Sequence, residues 1–496
     1  FNLFIKKADV VFILIFFIFL YILKSSDFNQ NVFIPSVSYL FLLFLFFVFN
    51  RFRFFTNKKG LEKVKYFNLA SYVLMFLLTL ITQNYLLHYE VISWDVSSYL
   101  VAASDLGRGN LPYVNQWESK GPLFVVFYYL FILFSDGDYV KFKILNDSLI
   151  YLSSIIIFHI LKTKSQDFVK PLFGSLFFIL LMSKDWYIAE ISEIYYLPFL
   201  GLATFHIFSK NKNNYFYLGL LSSISTLVNQ SAVLFFVTIL LYLFTNQKNN
   251  IFKSLYKLFL GFLTPHLFFV IIYFYLGHID IYIANYFTIP ISYSSENLSS
   301  FYELIVWIRE YFRYEEFLYF SIILTIVLSI ISLNKIKSSN LFIHLNLMAG
   351  MSLYFIAGHN YYHHLLYFLF FLPLIMIFSF SNKILKIFYI QITISAFVIL
   401  SQTLQPSIMN LKDTTEVISN YPLYNLANEL RESNNIDEAE ILALDYVLLL
   451  YYLDKPNYSY IVHPSNHFED YIVNELIRLG YVQTNEYNHI SYLIEE

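Results

Sequence analysis

The sequence predicts an all-α polytopic membrane protein of about 13 transmembrane helices plus juxtamembrane helices, with a small α/β domain at its C-terminus. Three observations predict this fold class. Of the 496 residues, 58% are hydrophobic and only 14% are charged, whereas ordinary soluble domains carry about 25% charged residues. The mean hydropathy is +0.56. Phe and Tyr number 56 and 44, and such aromatic side chains suit lipid-facing and interfacial surfaces.

Apolar runs of the length that crosses a bilayer, about 20 helical residues, recur along most of the chain. The first is interpreted as a retained span, because no small-residue cleavage site follows it. The shorter run 122–135 is interpreted as a juxtamembrane or re-entrant helix. The predicted spans are 8–23, 32–50, 66–87, 144–161, 169–183, 194–209, 215–229, 231–244, 255–276, 315–332, 341–357, 364–380 and 387–403.

The positive-inside rule orients these spans. The loop 51–65 is rich in Lys and Arg and is therefore predicted to be cytoplasmic. If 122–135 crossed the membrane, the later lysine clusters would fall on the wrong side, which is why it is interpreted as not crossing. The predicted transmembrane domain is 1–403, in a bacterial inner or plasma membrane. Its first outer loop (88–121), its second outer loop (277–314) and the tail 404–496 then share the extracytoplasmic face.

The tail is predicted to be a small extracytoplasmic α/β domain. Its pattern indicates helices at Tyr424–Glu432 and Phe468–Leu479, and strands at 440–445, 458–462 and 489–494. The chain has no cysteine, which excludes disulfides and thiol chemistry. It also has no Walker loop, no dinucleotide fingerprint and no basic patch, so a nucleic-acid partner is excluded.

The first outer loop carries the residue types that surface chemistry on a lipid phosphate needs. Asp95 follows the third span, and a partly desolvated carboxylate there can act as a general base. Lys120 precedes an apolar helix, at a depth where a lysine can hold a lipid phosphate. The ordinary alternatives are a helix cap for Asp95 and a snorkelling anchor for Lys120.

Three segments carry a combined pattern. They contain Asp95, Tyr99, Gly109-x-x-Pro112-Tyr113 and Lys120-x-Pro122-Leu123, then Glu190–Phe199, then Gly358–His364 followed by Pro373. Together they resemble the GT-C glycosyltransferases, and are closest to the bacterial branch related to protein O-mannosyltransferases and the lipid A aminoarabinose transferase. The resemblance covers roughly residues 66–400. Family members typically have Lys-Pro-Pro-Leu where this chain has Lys120-Gly121-Pro122-Leu123, and often an acidic pair where it has Asp95-Val96.

The resemblance implies a membrane glycosyltransferase that moves a sugar, with inversion, from a polyprenyl-phosphate donor to a glycan, lipid or protein acceptor. Its partners are then that donor, membrane lipid and the acceptor. The site residues that it implies are Asp95 and Glu193 for catalysis, Lys120, Arg108 and His364 for the donor phosphate, and Tyr99, Tyr113, Glu118, Glu190, Tyr362 and His363 for substrate binding.

The histidines at 359, 363 and 364 raise the question of a metal. His359 and His363 are four residues apart, a spacing that can chelate an ion on a helix, together with Asp95 or Glu193. His363 and His364 are adjacent, so on a helix they point in different directions. A histidine bonded to phosphate or backbone is the preferred interpretation. No metal ligand and no cofactor are therefore assigned, although a divalent metal is compatible with the sequence.

Two other function classes remain open. A lipid-linked oligosaccharide transporter or flippase usually places ionisable residues near mid-membrane, whereas here the acids and histidines gather at predicted outer ends. An O-antigen polymerase or ligase typically depends on outer-loop arginines, and the second outer loop offers Arg309 and Arg313. Replacing both arginines would distinguish that class from an enzyme that depends on Asp95.

Overall fold

The computed structural model describes a mostly helical chain. The predicted spans 8–23 and 32–50 and most of 315–332 lie outside the described residues. The segments described are 61–90, 93–165, 169–183, 188–209, 214–246, 250–296, 338–357, 361–379, 382–432 and 438–484, with isolated residues between 300 and 330 and at 436.

Every predicted span within these segments is a helix. Capping side chains set some of the boundaries: Asp138 accepts a hydrogen bond from Lys141 N at 3.0 Å, and Asn214 accepts one from Tyr217 N at 3.4 Å. The bundle helices are α1 Leu61–Gln83, α3 Pro122–Phe134, α4 Tyr139–Lys164, α5 Val169–Leu181, α6 Ser192–Phe208, α7 Tyr215–Val228, α8 Val233–Asn246, α9 Ile251–Tyr275, α12 Ser338–Ala357, α13 Leu366–Ser379 and α14 Asn382–Lys412.

Three of these helices are long and apolar enough to cross a membrane by themselves: α4, α9 and the part of α14 from Ile384 to Lys412. Most of the others contain shorter apolar helical stretches of 10–17 residues, among them the 13-residue α3. The count of 13 spans therefore stays a prediction, as does the interpretation of 122–135 as non-crossing. The boundary that differs most from the prediction is the end of the helix expected at 387–403. That helix continues to Lys412, because its hydrogen-bonded side chains Ser407 and Asn410 dock on the end of α1.

Helices α7 and α9 cross so closely that only glycine fits at the two contact positions. Gly219 faces the backbone of Leu258, and Gly261 faces the backbone of Phe216, with no room for a Cβ at either glycine. Small residues at a helix crossing allow this backbone contact and its dispersion energy. This contact lies in the first half of α7 and fixes the helix, whose C-terminal end borders the candidate site.

Polar contacts join the ends of several helices at one end of the bundle. Asn84, just past α1, donates to Asp147 of α4 at 2.6 Å, and Asn410 of α14 donates to the carbonyl of Asn84 at 2.8 Å. Asn229, at the end of α7, donates to Glu193 at the start of α6 at 3.2 Å. These contacts bring the ends of α1 and α14 to α4, and the end of α7 to the start of α6, next to loops that are predicted to lie outside.

The two outer loops contain short helices. The first forms α2, Trp94–Gly107. The second forms α10 (Ile279–Ile283), a π-helical turn (Ala284–Thr288) and α11 (Ile289–Glu296).

The tail folds onto the first outer loop through helices. They are α15 Thr414–Ser419, α16 Pro422–Glu432, α17 Leu448–Leu453 and α18 Asp470–Arg478. Helices α16 and α18 match the two predicted helices. Helix α17 is a short apolar helix that the sequence analysis did not identify.

The strands expected in the tail are not found in its described part. Segment 440–445 has no strand, 458–462 forms a single bridge between Ile461 and Trp117, and 489–494 lies outside the described residues. The physical reason is that the extended backbone at 460–462 pairs with one residue of the first outer loop: Trp117 N donates to Tyr460 O at 2.8 Å, and Val462 N donates to Trp117 O at 3.3 Å. An α/β character of the tail is therefore not confirmed.

Candidate active site

Asp95 lies in the first turn of α2 and faces the cluster of helix ends. Ser93 caps this helix by accepting a hydrogen bond from Val96 N at 3.5 Å. One turn after Asp95, the hydroxyl of Tyr99 donates to Asp95 Oδ1 at 3.1 Å. The Asp95 side chain is surrounded by protein but keeps 30% of its surface exposed. It is thus a positioned carboxylate that a ligand can still reach.

His463, from the tail, is the second partner of Asp95. Its Nε2 lies 3.2 Å from Asp95 Oδ1, and its Nδ1 lies 2.9 Å from the hydroxyl of Ser465. The bridge between Ile461 and Trp117 fixes the tail two residues earlier. The tail therefore supplies one side chain of the site, across 368 residues of sequence.

The electrostatics of this pair favour its charged form. Burial alone would raise the pKa of Asp95, but the hydrogen bond and charge of His463, together with the charge of Lys120, hold it well below its usual value. Burial likewise lowers the pKa of His463, and the hydrogen bond to Asp95 outweighs it, so that this pKa is raised. Asp95 is consequently ionised at neutral pH, with its negative charge directed at His463.

Lys120 lies beside this pair. Its Nζ is 5.9 Å from the centroid of the Tyr99 ring. Burial disfavours its charge, but Glu193, Asp95 and Glu118 together raise its pKa above the ordinary value. Among the described residues, no carboxylate comes within 4.0 Å of this ammonium to form an ion pair. Lys120 is therefore a permanent cation held among acids and still available to an anionic ligand.

The backbone around Lys120 is fixed from two sides. Tyr113 has a positive φ of 71°, which is uncommon for a tyrosine, and its hydroxyl donates to Lys120 O at 2.6 Å. Gly121 N donates to Val228 O at 3.1 Å, and the carbonyl of Leu227 occupies the place that a Cβ on Gly121 would take. A glycine at 121, where the resembling family has proline, thus seats the start of α3 against the end of α7.

We expect Gly121→Ala to destabilise the protein by about 1–3 kcal/mol, because overpacking against a fixed backbone costs energy of this order. Thermal unfolding of the purified protein in detergent measures the change. Gly107→Ala is the matched control, since its Cβ would meet only the movable ring of Tyr129. Equal melting temperatures for the two variants would contradict the close packing of Gly121 on α7.

Glu193, His363 and His364 form a second cluster. Glu193 starts α6 and is 2% exposed. Its Oε2 accepts from Ser192 Oγ at 3.0 Å, and its Oε1 accepts from Asn229 at 3.2 Å. The Nδ1 of His364 lies 3.8 Å from Glu193 Oε1. His363 and His364 belong to a 3-10 turn, Tyr362–Leu365, that opens α13.

This cluster differs from the expectation that adjacent histidines point apart. The ring centroids of His363 and His364 are only 4.3 Å apart, and one ligand atom from each, with a Glu193 oxygen, all lie within 4.8 Å of one another. Adjacent positions on a helix determine only the directions of the two Cβ atoms. Rotation about the two side-chain bonds of each histidine brings the imidazole rings together. The expected partner, His359, lies outside the described residues.

Comparison with solved structures finds the crystal structure of ArnT from Cupriavidus metallidurans bound to undecaprenyl phosphate. The TM-score is 0.57 over 80% of this chain and 87% of that chain. The chain has the ArnT fold. Sequence identity to ArnT is 7%, so the likeness establishes the architecture and assigns no role to any residue. No protein-family model and no curated protein matches the chain.

The likeness to ArnT establishes the fold, whereas the GT-C membership that the three motifs implied, and the particular branch, stay predictions. Most of the predicted site residues come together on this architecture, although two predicted substrate-binding residues lie behind the site. Tyr113 is 1% exposed and supports Lys120 from behind, and Glu118 is 2% exposed with its Oε1 accepting from Ser119. Those that lie together are Asp95, Tyr99, Lys120, Glu193, His363 and His364.

Two predicted residues are not brought into this group. Arg108 lies at the far end of α2, where it pairs with Asp454 at 2.8 Å and lies 3.6 Å from Asp105. Glu190 is buried and lies 3.9 Å from Lys143 Nζ in a separate ion pair. Tyr362 begins the 3-10 turn, and its side chain lies outside the described residues.

Sequence reasoning missed two residues of the site, His463 and Asn229. His463 occurs in a polar tail with no motif around it, and nothing in the spacing connects it to Asp95. Asn229 lies between two predicted spans, and its amide donates to both Glu193 and Ser192. The sequence indicated a role for Asn229 only through the position of this amide between two short apolar segments.

Proposed function

We propose that the chain is a glycosyltransferase that moves a sugar from a polyprenyl-phosphate donor to an acceptor at the extracytoplasmic face of the membrane, with inversion. The observation that carries the proposal is the partly open Asp95 carboxylate close to the cation of Lys120, which forms no ion pair with any described carboxylate. Base and cation are the two groups that displacement of a sugar from a lipid phosphate requires. The ArnT fold supports the same reading, because ArnT was crystallised with undecaprenyl phosphate.

In this mechanism Asp95 accepts the proton of an acceptor hydroxyl as that oxygen attacks the anomeric carbon. The bond between the anomeric carbon and the phosphate oxygen breaks, and polyprenyl phosphate leaves with the electron pair. Both hydrogen bonds that Asp95 makes with described residues end on Oδ1. Oδ2 is therefore the oxygen that we assign to the acceptor proton.

Lys120 stabilises the negative charge that develops on the departing phosphate. Its raised pKa keeps it protonated throughout the physiological range. A fixed ammonium stabilises a developing anion more than free water does, because no reorganisation is needed at the moment of reaction. Tyr113 and Gly121 hold the backbone on either side of it.

The experiment that tests the proposal is transfer of radiolabelled sugar from synthetic polyprenyl-phosphate donors, using the full chain in proteoliposomes. A panel of donor sugars is needed, because nothing in the site identifies the sugar. Transfer from a lipid-phosphate donor, and none from the corresponding nucleotide sugar, is the expected result. A protein that moves lipid-linked sugars across the bilayer without transferring them would instead be a transporter.

We expect His463→Asn to shift the acid limb of the pH–rate profile to higher pH. His463 lowers the pKa of Asp95, so removing it raises that pKa, and a higher pH is then needed to keep the carboxylate ionised. The profile of kcat/KM against pH measures the shift.

Ser465→Ala is the matched control for His463→Asn. It removes the hydrogen bond to Nδ1 and leaves the imidazole in place. Its acid limb should coincide with that of the wild type. An unchanged profile in His463→Asn would show that the contact of the tail with Asp95 is structural only.

A further inference from the structure

We infer that Glu193, His363 and His364 form a zinc site. One ligand atom from each of these side chains lies within 4.8 Å of the other two. Two histidines and one glutamate, with a fourth position left open, form one of the ligand sets that proteins use for zinc. The inference adds a metal to the site of the proposed function, and zinc binding can be measured whether or not that function holds.

The geometry of His364 is the first support. Its Nδ1 is 3.8 Å from Glu193 Oε1, which is too long for a hydrogen bond. Two ligands held at about 2.0–2.1 Å from one tetrahedral zinc are roughly 3.3–3.4 Å apart. The observed separation is thus close to that of two ligands sharing an ion, and small side-chain rotations would complete it.

The second support is an unsatisfied group. His364 is 8% exposed, and within the described part of the chain its Nε2 has no hydrogen-bond partner. A buried imidazole nitrogen without a partner carries a desolvation cost. Zinc on Nδ1 would leave Nε2 as an N–H donor, and a phosphate oxygen of the lipid donor bound against it would remove that cost. The imidazole therefore points to a bound group that the polypeptide itself does not provide.

The third support is the set of hydrogen bonds behind Glu193. Ser192 donates to Oε2 at 3.0 Å and Asn229 donates to Oε1 at 3.2 Å. Asn229 is itself fixed, since its Oδ1 accepts from Ser231 N at 3.0 Å. Metal-ligating carboxylates are usually held in this way by outer hydrogen bonds, which set their direction before the metal arrives.

The neighbours of the cluster suggest what the ion would do. The charge of Glu193 is the largest of the influences that raise the pKa of Lys120, so the two groups share one environment. Zinc beside that lysine would supply a second positive centre for a phosphate oxygen. Imidazole and carboxylate ligands suit zinc better than calcium or magnesium, which prefer oxygen ligands alone.

The test uses the full chain purified in detergent, stripped with a chelator, reloaded with zinc chloride and desalted. Elemental analysis then gives zinc per chain, and replacement by Co²⁺ gives the visible absorption of a tetrahedral site. We expect about one zinc per wild-type chain, and at least a tenfold weaker affinity in each of Glu193→Gln, His363→Asn and His364→Asn. His266→Asn is the matched control, because His266 is a partly buried histidine that bonds Thr226 outside the cluster.

Wild-type protein that retains no zinc would overturn the inference, and so would ligand variants that retain as much zinc as the wild type. Each variant is first compared with the wild type by size exclusion and by melting temperature without metal. Zinc should also raise the melting temperature of the wild type and not that of correctly folded ligand variants. These two readouts do not depend on activity.

Asp95→Asn separates this inference from the proposed function. It removes the proposed base and leaves all three zinc ligands, so it should bind zinc normally. If the protein binds zinc through these three ligands but transfers no sugar, the proposed function is wrong and the zinc inference holds. If the protein transfers sugar but takes up no zinc, the zinc inference is wrong and the proposed function holds.

Discussion

Asp95→Asn is expected to lower the rate of sugar transfer by about 10²–10⁴-fold, the usual contribution of a general base. The amide keeps the shape of the side chain and can still accept the hydrogen bond from Tyr99. It cannot take a proton from the acceptor. The loss should appear in kcat, because the group acts in the transition state. Initial rates with saturating lipid donor measure it.

Asp445→Asn is the matched control for this variant. Asp445 accepts a hydrogen bond from the indole of Trp94, the residue next to Asp95, at 2.7 Å. Its carboxylate plays no part in the proposed chemistry, so its loss should leave the rate near that of the wild type. A rate in Asp95→Asn within a factor of a few of the wild type would remove Asp95 as the base.

Lys120→Met should reduce kcat by about 10²–10³-fold, the usual cost of removing one group that stabilises a developing anion. Methionine keeps most of the apolar stem of lysine and removes the charge. Lys120→Arg should recover part of the rate, because the charge is retained although the shape of the donor group changes. The measurement is kcat and KM for the lipid donor in all three proteins.

Lys141→Met provides the matched control for the lysine variant. Lys141 is an exposed lysine that lies 3.8 Å from Asp138, away from the site. If Lys120→Met raised only KM and left kcat unchanged, Lys120 would contribute to donor binding and not to departure of the phosphate. If Lys120→Met and Lys141→Met both had the kcat and KM of the wild type, the anion would have to be held by another group.

The helices were predictable from the sequence because each is an apolar run, and the bilayer length requirement selects for such runs. Helix α4, predicted at 144–161, is found as Tyr139–Lys164. The cluster of helix ends was predictable in part from the sidedness of the lysines. Neither argument extends to a polar tail. There, no bilayer thickness determines the length of the short segments, and no apolar periodicity distinguishes helices from strands.

The candidate site also has one part that was predictable from the sequence and another that was not. Asp95 and Lys120 were identified from a local pattern, because both lie at the ends of apolar helices. Arg108 shares that loop, yet α2 carries it to the far end, where Asp454 pairs with it. The contact of His463 with Asp95 is a tertiary event that no local pattern records.

The placement of His463 has a consequence for the newly made protein. During translation Asp95 leaves the ribosome 368 residues before His463. At 5–20 residues per second, the interval is roughly 20–70 s. Throughout that time the nascent chain has its carboxylate without its imidazole partner, and the pKa of Asp95 lacks the lowering that His463 provides. The arrangement around Asp95 is therefore completed only after the tail has been synthesised and has docked on the first outer loop.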